Sequence, residues 1–255
     1  LEQLFTHEAD AALFYFSGHG SRNIFGGYLV TQDATKPQHG FAFRDLQTLV
    51  LRSPIREITI VLDCCHAGEL GNEDLNRDAT VELREGVTII AACQPEELAR
   101  ESSGGGLFTS LLVDALNGEA ADITGKITLA GIYHHIDGLL TAWDQRPLYK
   151  AHISQMLPIR TVDPQFRPSE LARLTKLFPA IDYEIRLDPG YEKTTASGHA
   201  EKEEDFALLQ RLRDARLVAV VAPHVHLYTA AMEHGRCRLT PTGRYYWKMI
   251  NRHGQ

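Results

Sequence analysis

The stretch that decides the fold is residues 58–68, ITIVLDCCHAG. Its first five residues are β-branched or aliphatic with no polar break, which is typical of a strand buried on both faces of a parallel sheet. Asp63 ends this run, and two cysteines and a histidine follow it directly. In open α/β sheets ligands bind at the carboxyl ends of the strands. The stretch therefore predicts a functional site at this edge of the sheet.

A second apolar run, AALFYF at residues 11–16, ends in the same way, in Ser17, Gly18, His19 and Gly20. Each motif alone also fits a structural role, because Gly-His-Gly is a common loop composition and a buried cysteine often serves as a small hydrophobic residue. Two such motifs in this order, each at a strand end, favour a functional role. The two strands are expected to deliver an imidazole and a thiol to one edge.

The order of these motifs resembles a known family. FYFSGHG at 14–20 followed by VLDCCHAG at 61–68 is similar to the caspase-like cysteine peptidases, closest to the metacaspase and bacterial caspase-like branch, and the likeness covers about residues 10 to 162. It implies a catalytic dyad of His19 and Cys65, because the family's nucleophile is the third residue of D-x-C-H-x-G. It also implies an oxyanion hole formed by the backbone N–H groups of Gly20 and Cys65.

The resemblance further implies the substrate class. Metacaspase-like members cleave after Arg or Lys and use acidic residues, one of them two positions before the cysteine, which here is Asp63. A second acidic position lies eight residues after the cysteine that ends the next strand, and counting from Cys93 reaches Glu101, where the family usually has Asp. Two carboxylates can bind a guanidinium bidentately and reject an acidic side chain. A solvated loop glutamate is the alternative for Glu101.

Activation and biological role are also expectations from the family. The segment 69–86 is polar and rich in charge, which is typical of an exposed loop. The family often matures by a cut in this region, so Arg77 and Arg84 are the candidate processing sites. Bacterial relatives often serve defence or cell-death pathways. The substrate is then a protein, and a regulatory protein or an N-terminal fragment of the same protein is a possible partner.

Neither a metal nor another cofactor is expected. Cys64, Cys65 and His66 are consecutive and lack the spaced Cys or His pairs of a tetrahedral zinc site. The four cysteines show no disulfide-framework spacing, which fits a reducing compartment. Apolar runs fall short of the ~20 residues that cross a bilayer, and no signal peptide opens the chain. We therefore expect a cytoplasmic protein that does not bind membranes.

The pattern of elements predicts an α/β fold, with a mostly parallel, caspase-like sheet covered by helices on both faces. Helical stripes are expected at 43–52, 107–115 and 129–143, further strands at 88–93 and, as the last of the domain, at 154–161. The strands that precede the histidine strand in this family are not found here. Either they were cleaved off and stay bound, or they lie outside this chain.

Charge divides the chain. Residues 1–164 hold 12 Lys and Arg against 22 Asp and Glu, whereas 165–255 hold 14 against 11. This indicates two domains, a peptidase domain at 1–162 and a second module at 163–255. In the second, a helix at 203–213, a strand at 217–221 and a strand, turn and terminal helix from 236 onward resemble a small α+β winged-helix module.

The second module is expected to serve regulation or docking. Nucleic acid is a possible partner, but protein is favoured because the net charge of +3 is small and the first domain is acidic. Two other function classes remain open. One is a catalytically silent caspase-like scaffold, which the presence of both His19 and Cys65 disfavours. The other is a DNA-binding regulator that acts through the C-terminal module.

Overall fold

A computed structural model describes most of the chain: residues 1–24, 26–35, 40–64, 83–92, 101–102, 105–141, 146–193 and 199–253, with the backbone alone at 101, 102, 105 and 253. The chain divides into two compact units, Leu1–Asp163 and Pro164–Gln255. The boundary predicted from charge and from the proline-containing linker lies between residues 162 and 163.

The first unit alternates strands and helices. In chain order its elements are α1 (Glu2–Thr6), β1 (Ala11–Ser17), β2 (Gly20–Asn23), β3 (Gly26–Leu29), β4 (Phe41–Ala42), α2 (Phe43–Arg52), β5 (Glu57–Asp63), β6 (Val87–Ala91), β7 (Glu101–Ser102), β8 (Gly105–Gly106), α3 (Leu107–Asp114), β9 (Lys126–Ile127), α4 (Leu129–Leu139), β10 (Leu148–His152) and β11 (Arg160–Thr161).

The central sheet has the strand order β1-β5-β6-β10. Strands β1 and β5 pair in parallel from Ala11↔Glu57 to Ser17↔Asp63, and β5 pairs in parallel with β6. Strand β10 is antiparallel to β6. The predicted α/β fold with a mostly parallel central sheet is confirmed.

Both faces of this sheet are covered, because successive side chains of a strand point to opposite sides. Ile58, Ile60 and Leu62 pack with residues of α1 and α2. Val61 instead packs with Phe108 of α3 and with α4 residues on the other face. Helix α2 occupies residues 43–52 as its apolar spacing predicted.

The predicted last strand was wrong. Residues 154–161 do not join the sheet, and within them only Arg160 and Thr161 pair, with β9. The last strand is β10, Leu148–His152. It ends the strand order, a position that tolerates Lys and His, and its sequence LYKAH therefore lacks the apolar pattern that marks the inner strands.

The second unit contains a small antiparallel sheet and helices. Its elements are α5 (Pro168–Leu177), β12 (Glu184–Arg186), α6 (Ala200–Asp214), β13 (Val218–Val220), α7 (Leu227–Met232), β14 (Arg236–Leu239) and α8 (Pro241–His253). The strand order is β12-β14-β13, with both pairs antiparallel. Strands β13 and β14 are connected through helix α7. The winged-helix likeness of this unit stays a prediction.

The predicted turn between β14 and the terminal helix is the first turn of the helix itself. The side chain of Thr240 accepts a hydrogen bond from the N–H of Gly243 at 3.0 Å, as an N-cap does. Pro241 follows at the first helical position, where its missing N–H costs nothing. The Pro and Gly that suggested a turn therefore start helix α8.

Candidate active site

The histidine strand and the aspartate strand end side by side. Ser17, the last residue of β1, pairs with Asp63, the last residue of β5. One residue further, the N–H of Gly18 donates to the carbonyl oxygen of Asp63 at 3.1 Å. Because the strands are parallel, their carboxyl ends lie at one edge of the sheet, as the two motifs predicted.

His19 follows this pair on a backbone that is held from the other side. Its carbonyl oxygen accepts a hydrogen bond from the N–H of Val30 at 2.9 Å, and its side chain is exposed to solvent. Its neighbour Gly20 begins β2 and lies opposite Leu29. Since the flanking bond runs from Val30 to His19, Gly20 and Leu29 form a non-hydrogen-bonded pair, and the N–H of Gly20 is not used for pairing with β3.

The two adjacent cysteines differ in what the structure shows of them. Cys64 is 1% exposed and belongs to the core cluster formed by β1, β5 and helix α2. Cys65, the predicted nucleophile, lies outside the described residues. It follows Asp63 by two positions in the sequence. The structure thus shows the strand end that precedes Cys65 beside the one that precedes His19.

Asp63 is a buried carboxylate, 7% exposed. Its Oδ2 accepts a hydrogen bond from the hydroxyl of Thr109 in α3 at 2.5 Å. The same hydroxyl oxygen lies 2.7 Å from the hydroxyl of Tyr15 in β1. Gly106 packs its backbone against the carboxylate so closely that a Cβ atom at this position would lie 2.4 Å from Oδ2.

The backbone of Glu101 lies in the neighbourhood of Asp63. Strands β7 and β8 form an antiparallel pair in which Glu101 is opposite Gly106, and directly opposite residues in such a pair have Cα atoms about 5 Å apart. Gly106 in turn contacts the Asp63 carboxylate. Two predicted substrate-binding residues, 38 positions apart in the chain, are therefore linked through a single glycine.

The structure describes one of the two candidate processing residues, Arg84. Arg77 lies outside the described residues. Arg84 is partly buried, and its guanidinium donates to the carbonyl oxygens of Ser53 at 3.1 Å and Ile55 at 2.6 Å. Arg84 therefore connects the residues before β6 to the link between α2 and β5.

Three residues around Asp63 were not singled out from the sequence. Tyr15 lies in the apolar run at 11–16, Thr109 is a polar residue within the helix predicted at 107–115, and Gly106 directly precedes that helix. Tyr15 and Thr109 are 94 positions apart, so no local spacing could connect them. The parallel register places Tyr15 on the same sheet face as Asp63, a relation that becomes visible only once the two strands are paired.

Comparison with known proteins decides the family. A family model described as the caspase domain matches residues 1–157, which lie within the first unit. The chain belongs to the caspase family. The predicted resemblance to caspase-like peptidases is thereby confirmed, and the family is one of cysteine peptidases that act on protein substrates. None of the curated proteins matches the chain.

Two further properties of the structure bear on function. Within the described ranges, no three His, Cys, Asp or Glu side chains come together in a way that could hold a metal ion. Among the helices of those same ranges, none combines the length and the apolar character needed to cross a membrane.

Proposed function

We propose that the caspase domain of this chain is a cysteine endopeptidase in which His19 and Cys65 form the catalytic dyad. The observation that carries this proposal is the pairing of Ser17 with Asp63, because it places the two strand ends that precede His19 and Cys65 next to each other. The burial of Cys64 in the core supports Cys65 as the nucleophile, since adjacent residues of an extended segment face opposite ways.

The dyad supplies the two proton transfers that amide cleavage requires. The imidazole of His19 takes the thiol proton, and the thiolate of Cys65 attacks the carbonyl carbon of the scissile bond. The C–N bond then breaks, and the imidazole returns the proton to the leaving amine. Water hydrolyses the remaining thioester. A reducing compartment such as the cytoplasm would preserve the thiol.

The N–H groups of Gly20 and Cys65 would stabilise the negative charge on the carbonyl oxygen during the attack. Support comes from the pairing of β2 and β3, in which the N–H of Gly20 is not used for the pair with Leu29. A fixed backbone donor of this kind costs no reorganisation during the reaction, and losing one typically costs about 3 kcal/mol of transition-state stabilisation.

Asp63 and Glu101 would select a basic residue, Arg or Lys, before the cleaved bond. The buried position of Asp63 and the link from Glu101 through Gly106 support a shared acidic pocket. A guanidinium or ammonium group would neutralise these carboxylates, whereas an acidic side chain would be repelled.

A peptide-library cleavage assay on the purified chain, read by mass spectrometry, tests this function. We expect cleavage after Arg or Lys and negligible cleavage after Asp. Efficient cleavage after Asp would contradict the acidic pocket. Both the intact chain and the chain cut within 69–86 should be assayed under reducing conditions. If neither form cleaves any peptide, a catalytically silent scaffold is favoured.

The biological role that we propose is that of a regulated protease, with defence or cell death in bacteria as the setting that the resemblance implies. Regulation would involve a cut after Arg77 or Arg84. The contacts of Arg84 with the carbonyls of Ser53 and Ile55 favour Arg77, because a protease must first withdraw Arg84 from both acceptors.

The second unit would act as a regulatory or docking module. Helix α8 contains no acidic residue, and Arg244, Lys248 and Arg252 lie on one exposed face at four-residue intervals. Tyr245 is exposed beside them. The opposite side is anchored to its own unit through a hydrogen bond from the indole of Trp247 to the carbonyl oxygen of Phe178.

A protein partner with an acidic surface fits this α8 face better than nucleic acid does, because three cations are few for a duplex. Three phosphate contacts would weaken DNA binding roughly 40-fold between about 50 and 200 mM salt. The test titrates duplex DNA against the full chain and against Arg244→Glu/Lys248→Glu/Arg252→Glu, with Arg186→Glu on β12 as a matched exposed control. Tight, salt-dependent binding that only the triple variant loses would favour a DNA-binding regulator.

A further inference from the structure

A chain of hydroxyl groups leads from the solvent-exposed side of β1 to the buried carboxylate of Asp63. Tyr15 is 42% exposed, and its hydroxyl contacts the hydroxyl of Thr109 at 2.7 Å. Thr109 in turn contacts Oδ2 of Asp63 at 2.5 Å. Tyr15, Val61 and Asp63 share one sheet face because of the parallel register, and α3 covers that face.

The chemistry of the three groups fixes the direction of the hydrogen bonds. An ionised carboxylate can only accept, so Thr109 uses its single proton on Asp63. The oxygen of Thr109 must then accept from Tyr15. Both donors consequently point toward Asp63, and each bond strengthens the next because the chain ends on a charge.

Gly106 restricts the same carboxylate from another side. Its backbone dihedrals, φ −64° and ψ 134°, are accessible to any L-residue, so the backbone conformation does not require glycine here. Contact with Asp63 does, because an added Cβ would lie 2.4 Å from Oδ2. The carboxylate thus lies between a hydroxyl donor and the closely packed backbone of Gly106.

A purely structural account would make Asp63 a partner for the start of helix α3, where the helix dipole favours negative charge. Gly106 is the N-cap residue of α3, and Thr109 lies in the first turn of that helix. That account explains a carboxylate near the helix end. It does not account for the second hydroxyl, because the hydrogen bond of Tyr15 is made to the Thr109 hydroxyl and not to the carboxylate.

We propose that Thr109 and Tyr15 are positioning residues for specificity, which hold the plane of the Asp63 carboxylate so that it meets the basic side chain of the substrate in one orientation. This inference rests on the proposed function of Asp63. A guanidinium presents its donors in a rigid plane, whereas an ammonium group is a point charge with rotatable donors. A fixed carboxylate therefore favours Arg over Lys, and a carboxylate free to rotate loses that preference first.

The experiment measures kcat and KM of the full chain on matched peptides that end in Arg or Lys before the cleaved bond. We expect Thr109→Val to raise KM for the Arg peptide about tenfold, the order of one lost charge-assisted hydrogen bond, with kcat nearly unchanged. The Arg-over-Lys ratio should fall severalfold. Thr109→Ser keeps the hydroxyl and should restore both values, and Tyr15→Phe should shift them in the same direction by about two- to threefold.

Gly106→Ala tests the same positioning by displacement rather than by loss of a donor. The new methyl group has to push the carboxylate aside, so we expect a larger rise in KM than in Thr109→Val. Thr48→Val is the matched control, because Thr48 is an exposed helical threonine whose hydroxyl donates within its own helix, to the carbonyl oxygen of Arg44. Thermal unfolding of every variant verifies that the fold is intact.

A direct binding measurement tests the same positioning role without relying on catalysis. In the Cys65→Ala background, the affinity for an Arg-terminated peptide should fall about tenfold with Thr109→Val and be regained with Thr109→Ser. Unchanged KM, affinity and Arg-over-Lys ratio in Thr109→Val would overturn the positioning role while leaving the proposed peptidase intact. If the wild-type protein neither cleaves nor binds basic peptides, both the positioning role and the proposed function are overturned. If Thr109→Val and Thr109→Ser have equal effects, Thr109 has a packing role instead.

Discussion

Each unit has a cysteine that a β-strand positions, but the two differ in their place relative to the strand. In the caspase domain, β5 ends at Asp63 beside the end of the histidine strand, and Cys65 follows Asp63 by two positions in the sequence. In the second unit, Cys237 lies within β14, the middle strand of its sheet, and is fully buried. Burial raises the pKa of its thiol to about 12, with a smaller contribution from the nearby charge of Glu184.

This difference shows what a strand end contributes. Cys237 in the middle of β14 is enclosed by two neighbouring strands and a packed face, which disfavours a thiolate. In open α/β sheets ligands bind beyond the carboxyl ends of the strands. Cys64, the first residue past β5, is still buried, so the proposed nucleophile is the residue that follows it. The proposed reactivity of Cys65 and the protection of Cys237 therefore rest on where each cysteine lies relative to its strand.

The largest expected effect tests this contrast directly. Cys65→Ala and His19→Ala should each lower kcat/KM by at least about 10³-fold without unfolding the protein, because each removes one half of the dyad. Cys64→Ala and Cys237→Ala should retain most of the activity. Peptide hydrolysis measured alongside thermal unfolding verifies the prediction. Equal loss in the variants of Cys64 and Cys65 would overturn the assignment.

The second prediction concerns the protected thiol. With a pKa of about 12, Cys237 should react with iodoacetamide at pH 8 about 10³-fold more slowly in the folded protein than an ordinary cysteine does, since only the thiolate reacts. Unfolding in urea should abolish the difference. Mass spectrometry of the alkylated peptides distinguishes Cys237 from Cys65, which should be modified rapidly.

The same thiol makes stability depend on alkaline pH. Its pKa is raised above the ordinary value of 9.0 in the folded state, so the unfolded chain loses the proton first. The stabilisation is fully present below about pH 9 and is lost as the pH rises toward 12. Urea unfolding of Cys237→Ala should show a weaker pH dependence over this window than the wild type. Identical slopes would mean that Cys237 does not titrate with unfolding.

The next prediction examines specificity at the strand end. Asp63→Asn keeps the shape of the side chain but removes its charge, so kcat/KM for Arg peptides should fall about 10²-fold as a charged contact is lost. Cleavage of neutral peptides should change little. Matched peptides with Arg or Gln before the cleaved bond measure the ratio. An unchanged preference for Arg would place the basic pocket elsewhere.

The smallest expected effect concerns the anchoring of the chain before β6. Arg84→Gln should destabilise the caspase domain by about 2 kcal/mol, because the carbonyls of Ser53 and Ile55 lose a charged donor and both residues are buried. Arg77→Gln is the matched control and should leave stability unchanged while blocking the activating cut. If mass spectrometry finds the cut after Arg84 in active protein, the preference for Arg77 as the processing site is contradicted.

Much of the framework follows from local pattern. The apolar runs at 11–16 and 58–62 and the helical spacing at 43–52 predict β1, β5 and α2, because periodicity records which face of an element is buried. Strand β10 could not be predicted in the same way. Its outer position in the strand order removes the need for apolar side chains on both faces. Lys150 and His152 therefore interrupt the apolar pattern by which a strand is recognised in the sequence.

The sequence by itself determined that Asp63 ends one strand and that His19 follows another, because a buried run that stops at a polar residue shows where a parallel strand leaves the core. Only the tertiary structure decided which groups surround them. Thr109 is 46 positions from Asp63 and 94 from Tyr15, and residues so far apart meet only when the strand register and the packing of α3 on the sheet are set. Local periodicity encodes which way a side chain faces, whereas its partner across the fold depends on contacts that no single stretch of sequence contains.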